Sequence, residues 1–136
     1  MTARKSDIEN RQDLEKLMHA FYAKAMQDPV IGHYFTEVVQ LDLVTHIPRI
    51  TDFWETIIFG VNRYHGDTFA VHAHLQEKCA FRDEHFNRWV QLFKETVDEN
   101  FSGDKAETIR QRAESIATIM KIKLVYGGIH PKKSAP

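Results

Sequence analysis

Apolar residues in this chain recur at intervals of three and four and nowhere alternate with polar ones over the length of a strand. The pattern therefore predicts helices. The first is "RQDLEKLMHAFYAKAMQ", with Leu14, Leu17, Met18, Phe21, Tyr22 and Ala25 on one stripe, Asn10 as N-cap and Asp28–Pro29 as the stop. "VIGHYFTEVV" reads as a short helix or turn. In "THIPRITDFWETIIFG", Thr45 is placed to cap and Pro48 falls in the first turn, where its missing N–H does no harm. The apolar stripe there is Ile47, Ile50, Phe53, Trp54 and Ile57, and Gly60 closes the helix. After a loop, "VNRYHGD", comes "TFAVHAHLQ", a helix of about two turns. Asp83 or Glu84 then opens a helix with Phe86, Trp89, Val90, Phe93 and Val97 on one face. The last, "DKAETIRQRAESIATIMKIKLVY", runs to Gly127. No repeat or linker divides the chain, so the expectation is one all-α domain over 1–136 with flexible tails at 1–9 and 129–136.

Composition narrows the class. Of the 136 residues 43% are hydrophobic and 27% charged, a globular balance. A net charge of −1 offers no basic surface for nucleic acid or an anionic membrane. No apolar run reaches membrane-spanning length and the N-terminus lacks a signal core, so a cytoplasmic protein is expected. The single cysteine, Cys79, can form neither an internal disulfide nor a cysteine-based zinc site. It reads as a loop or packing residue.

Eight histidines are a surplus for this length. His19, His33, His85 and His130 read as surface or satisfied core residues. No His-x-x-x-His pair occurs, which excludes a zinc-protease helix. His72 and His74, in "VHAHL", are separated by about 200° on a helix and cannot share one ion. His72 lies on the stripe with Thr68, Val71 and Leu75, whereas His74 points to solvent. One such ligand is too few for structural zinc, yet it is enough for haem iron, where the porphyrin supplies four others. The aromatics have two readings, a plain packed core or the lining of a site. Tyr22 and Trp89 each bring a polar hydrogen that needs a partner when buried.

The segments "LMHAFYAKAMQDPVIGHYF", "HIPRITDFWETIIFG", "YHGDTFAVHAHL", "HFNRWVQLFKETVDENFSGDKAETI" and "RAESIATIM", in that order, cover nearly the whole chain. In them the chain resembles the group III (P-type) truncated haemoglobins. The resemblance implies a truncated globin fold, a 2-over-2 helical sandwich around haem b (iron protoporphyrin IX). It aligns His72 with the proximal histidine, because the family's spacing from the Tyr64-His65-Gly66 turn falls there and not on His74. Tyr22 aligns with the distal tyrosine, Phe21 with the aromatic beside it, Trp89 with the distal tryptophan and His46 with the distal-side histidine. Trp54 matches a pocket tryptophan, and Phe35 the phenylalanine against the porphyrin. Arg49 sits where a basic residue can reach a propionate, and Tyr64 is a further cofactor contact. The sequence departs from the pattern in the long polar run "QEKCAFRDE" and in Pro48 soon after His46.

The function implied is reversible binding of O₂ at a five-coordinate iron, with the ligand held by hydrogen bonds from Tyr22 and Trp89. NO, CO, cyanide and H₂O₂ are further candidate ligands, and an unidentified reductase the candidate partner. The alternative is a haem enzyme for NO dioxygenation or peroxide reduction. A third reading, a cofactor-free helical interaction module, makes the aromatics core only.

Overall fold

The computed structural model describes residues 5–38, 42–62, 64, 66 and 81–125, and all regular structure among them is helical. In α1 (Arg11–Ala25), the Asn10 side chain accepts from the backbone N–H of Asp13, as an N-cap should. The whole predicted stripe, Leu14, Leu17, Met18, Phe21, Tyr22 and Ala25, is buried. The stretch read as a short helix or turn contains a single π-helical turn, Tyr34–Val38.

α2 (Leu43–Phe59) starts earlier than expected. Asp42 caps it in place of Thr45, accepting from the backbone N–H of Val44, while the Thr45 hydroxyl donates to the same carboxylate at 2.9 Å. A carboxylate that can accept from both groups outcompetes a hydroxyl for the cap. Pro48 thus lies beyond the first turn, and the carbonyl of Val44 has no helical donor. The buried face is also rotated from the predicted stripe. Ile47, Thr51, Trp54, Glu55 and Ile58 are buried, while Ile50, Phe53 and Ile57 are half-buried against the core. Gly60 ends the helix with φ 70°, the left-handed conformation that glycine adopts without strain.

α3 (Asp83–Asn100) buries Phe86, Leu92, Phe93, Thr96 and Val97. Trp89 and Val90, predicted on that face, are half-buried. α4 (Asp104–Leu124) follows after a short break. α1 packs on α2 and α3, and α4 lies along α3 and touches α2. Among the described residues no helix is long and apolar enough to cross a membrane.

Two polar ties fix this arrangement. Arg11 places Nη1 at 2.7 Å from Asp52 and 2.8 Å from the buried Glu55, joining the start of α1 to α2. Asp28 accepts Nε and Nη2 of Arg88 at 2.8 and 2.7 Å, and takes the backbone N–H groups of Val30 and Ile31 on its other oxygen. That carboxylate joins the turn after α1 to α3.

The expectation of a tail at 1–9 fails for residues 5–9. Ile8 is buried with 1% exposure, and the Asp7 carboxylate accepts the backbone N–H groups of Lys105 and Ala106 at 2.8 Å each. Asp7 thus caps α4 from the far end of the chain, in place of Gly103, which has no side chain to do so. An apolar side chain one residue from that carboxylate anchors the arm in the core.

Candidate functional site

Tyr22 and Phe21 are neighbours on α1 that face two directions within the core. Phe21 meets Tyr22 edge-on at 5.1 Å, Phe93 at 5.3 Å and Trp89 at 6.0 Å. Phe93 is in turn sandwiched between two indoles, stacked on Trp54 and on Trp89 at 5.3 Å each. The three rings form one stack spanning α2 and α3, with Trp54 almost wholly buried and Trp89 at its half-buried end. Such aromatic pairs are each worth about 0.5–1.5 kcal/mol beyond the area they bury.

On the other side of Tyr22 lie Phe35, edge-on at 5.6 Å, and His46, edge-on at 5.0 Å. The Tyr22 hydroxyl is 2.8 Å from Nε2 of His46. His46 therefore points inward from the first turn of α2. Burial pushes the Tyr22 hydroxyl well above the ordinary tyrosine value, so the group remains protonated. It keeps a hydrogen to donate.

The structure thus brings Tyr22, Phe21, His46 and Phe35 into one cluster, and Trp89 and Trp54 join it through Phe21 and Phe93. Tyr64 packs on Phe53 at 5.3 Å, and its backbone N–H donates to the Thr56 hydroxyl, on the half-buried flank of α2. Arg49 is exposed on α2, apart from the cluster. His72, expected to ligate iron, lies outside the described residues, as do His74 and Cys79. An open cleft of about 410 Å³ between Lys5, Asp98, Phe101, Glu107 and Arg110 lies at the C-terminal end of α3 and shares no residue with the cluster.

Sequence reasoning passed over His85 and His33. His85 sits one helical turn before Trp89 and takes the proton acceptor's role at the start of α3, with Nδ1 2.9 Å from the Arg82 backbone nitrogen. Its third position in a helix led by a residue without an acceptor of its own was the available signal. Asp28 was read only as a helix stop, whereas it is a buried ion-pair partner of Arg88.

No family model matches the chain. It is 29% identical over 123 residues to a group 3 truncated haemoglobin of Campylobacter jejuni, a match spanning 88% of this chain and 94% of the relative. Among solved structures, the crystal structure of the group III truncated haemoglobin from Campylobacter jejuni superposes with a TM-score of 0.79 at 28% identity, covering 91% of this chain and 98% of that one. Fold and sequence agree over nearly the full length of both proteins: the chain has a truncated globin fold and is similar to a group III truncated haemoglobin.

Proposed function

We propose that the protein binds O₂ and other diatomic ligands reversibly at haem b, with His72 as the iron ligand and Tyr22 and Trp89 as hydrogen-bond donors to the bound ligand. The observation that carries this reading is the buried Tyr22 hydroxyl paired with His46 inside an aromatic wall. The residues fit the cofactor. A protonated hydroxyl and an imidazole sit among aromatic rings, and Ile50, Phe53, Ile57 and Trp89 are left half-buried against the core, as a large apolar ring needs. With one cysteine, the chain cannot attach haem through two thioether links, which favours haem b.

When bound, haem supplies an iron centre that takes a diatomic ligand and gives it partial negative charge. Phe21, Phe35 and Trp54 exclude water from that space, which strengthens any hydrogen bond made in it. The Tyr22–His46 pair has two arrangements, set by the imidazole tautomer. With the proton on Nε2, His46 donates to the Tyr22 oxygen and leaves the Tyr22 hydrogen for the ligand. With the proton on Nδ1, Tyr22 donates to His46 and is turned away. His46 thereby acts as a gate or as a proton donor. His72 rests on the family spacing and on the helical-face argument. Arg49 is assigned to a propionate, and Phe35, Trp54 and Tyr64 to the porphyrin edge and face.

The alternative, NO dioxygenation or peroxide reduction, is favoured by the same 2.8 Å hydrogen bond, which gives a proton a path to a bound ligand. Turnover of NO or H₂O₂ with a reductase separates the two readings.

The primary test is the absorption spectrum of the chain after haem reconstitution. A Soret band that survives His74→Ala and is lost in His72→Ala supports the assignment. A folded protein without a Soret band removes the haem reading altogether.

A further inference from the structure

The start of α3 is held by an unusual group. Arg82, the residue before the helix, has no side-chain acceptor, and the reciprocal bonds that close the turn run from His85 N–H to the Arg82 carbonyl at 3.0 Å and from Arg82 N–H to His85 Nδ1 at 2.9 Å. A Glu or Gln usually takes that third position, with an oxygen that accepts at any neutral pH. A backbone N–H can only donate. Nδ1 must therefore carry a lone pair, and His85 is neutral with its proton on Nε2.

The same nitrogen also meets the Tyr34 hydroxyl at 3.1 Å. Tyr34 opens the π-helical turn, is 3% exposed, and packs edge-on against the His85 ring at 5.1 Å and tilted against Phe81 at 4.7 Å. The next residue, Phe35, lies against Tyr22. One turn beyond His85 on the same helix is Trp89. A single nitrogen therefore joins the two elements that bring Phe35 and Trp89 to the Tyr22 cluster.

We propose that neutral His85 is a positioning residue for the ligand site: it holds the N-terminal turn of α3, and so Trp89, in register with the π-helical turn that carries Phe35, and it releases that register when it takes a proton. The proposal rests on the ligand-binding reading above. A proton on Nδ1 sets two N–H donors, those of His85 and Arg82, against each other. The Tyr34 oxygen can accept the new N–H, but the Arg82 amide is left without its acceptor. The cation also stands at the positive end of the helix dipole.

Among the described residues, groups that titrate or carry charge face His85 from both sides. From α3 and the residue before it come Glu84 and Arg82, and from the π-helical side come His33, at 6.0 Å between ring centroids, and Tyr34. Burial lowers the His85 pKa from the ordinary 6.5, Glu84 raises it, and His33 and Arg82 lower it further. A histidine whose folded value is depressed stabilises the fold fully above its unfolded value, and the contribution is lost as pH falls through the folded value. The register is therefore intact at neutral pH and opens in the acid range below 6.5.

The first measurement needs no haem chemistry. In NMR titrations of the full chain between about pH 7.5 and 5, the Trp89 indole N–H resonance should move with the His85 imidazole, with one shared midpoint below 6.5. His85→Gln keeps an acceptor for the Arg82 amide without a titrating group, and should leave the Trp89 resonance flat. The second measurement is O₂ release from the haem-loaded protein, expected to accelerate about fivefold over that range and to stay at its pH 7.5 value in His85→Gln. His33→Gln, which removes a neighbouring positive charge, should keep the transition and raise its midpoint. A Trp89 resonance that titrates unchanged in His85→Gln, or one that stays still while His85 titrates, overturns the proposal. So does a transition abolished by His33→Gln alone. If haem does not bind, the NMR arm still decides the role of His85, so the two readings fail separately.

Discussion

The hydroxyl of Tyr22 and Nε2 of His46, 24 residues apart in sequence, are held 2.8 Å apart by α1 and α2. Asp42 rather than Thr45 caps α2, so His46 makes this contact as the fourth residue of the helix and not as its first. An isolated hydroxyl in so apolar a setting would cost about 1–3 kcal/mol. His46 removes that penalty and supplies a partner whose direction of donation can be reversed.

Tyr22→Phe deletes the hydroxyl while keeping the ring that Phe21 and Phe35 pack against. O₂ release measured by stopped flow should accelerate about tenfold, as expected for one charge-assisted donor of about 1.4 kcal/mol. Unchanged release would mean that Trp89 alone holds the ligand.

Phe93→Ala removes the ring between the Trp54 and Trp89 indoles. The cavity should cost about 3–5 kcal/mol in denaturant unfolding. Tryptophan emission should shift to the red as both indoles lose an apolar neighbour. A loss below about 1 kcal/mol would show that the site collapses around the gap.

Asp28 gives the protein an acid limit. Burial raises its pKa, but the Arg88 side chain and the backbone N–H groups of Val30 and Ile31 outweigh burial and hold it below the ordinary 3.8. A depressed carboxylate stabilises the fold above its unfolded value and loses that contribution as pH falls through the folded value. Thermal stability should therefore decline below about pH 4 in the native protein. Asp28→Asn should lose about 2 kcal/mol at pH 7 and flatten that decline, because Arg88 keeps a neutral acceptor but loses its counter-charge. A decline as steep in Asp28→Asn as in the native chain would assign it to other carboxylates.

Gly103 has φ +141°, and a Cβ built on it would stand 2.5 Å from the Asp7 side chain. Gly103→Ala should therefore cost more than the usual replacement of a glycine, about 2 kcal/mol or more, through backbone strain and displacement of the cap. Adding Asp7→Ala to Gly103→Ala should cost less than the two single losses summed, since the clash and the cap involve the same carboxylate. Strict additivity in a double-mutant cycle would show the two sites to be independent.

Most of the fold was legible because the helices are amphipathic and the apolar stripe of α1 was read without error. The rotation of α2 was not, since its buried face contains Thr51 and Glu55, polar residues that the periodicity rule assigns to solvent. Glu55 is buried because Arg11 reaches it from another helix, a tertiary contact that no local pattern reveals. At the site, Tyr22, His46, Phe35 and Trp89 were singled out by resemblance, and Tyr22 and Trp89 also by their polar hydrogens. His85 was passed over because the third position of a capping turn ordinarily carries Glu or Gln, so a histidine there does not stand out as the acceptor it is.

The bond from Asp7 to the backbone of Lys105 and Ala106 spans 98 and 99 residues. During synthesis Asp7 emerges long before Lys105 and Ala106, and its carboxylate has no α4 backbone N–H to hold until that helix has left the ribosome. α4 in turn lacks this cap until the Asp7 carboxylate docks on it. Closing so long a loop is among the slower steps a small domain takes, so this pairing is a late step in folding. Chains cut short before α4 would leave the Asp7 carboxylate without its donors and the core without the apolar face of that helix, the kind of exposed surface that quality-control machinery removes.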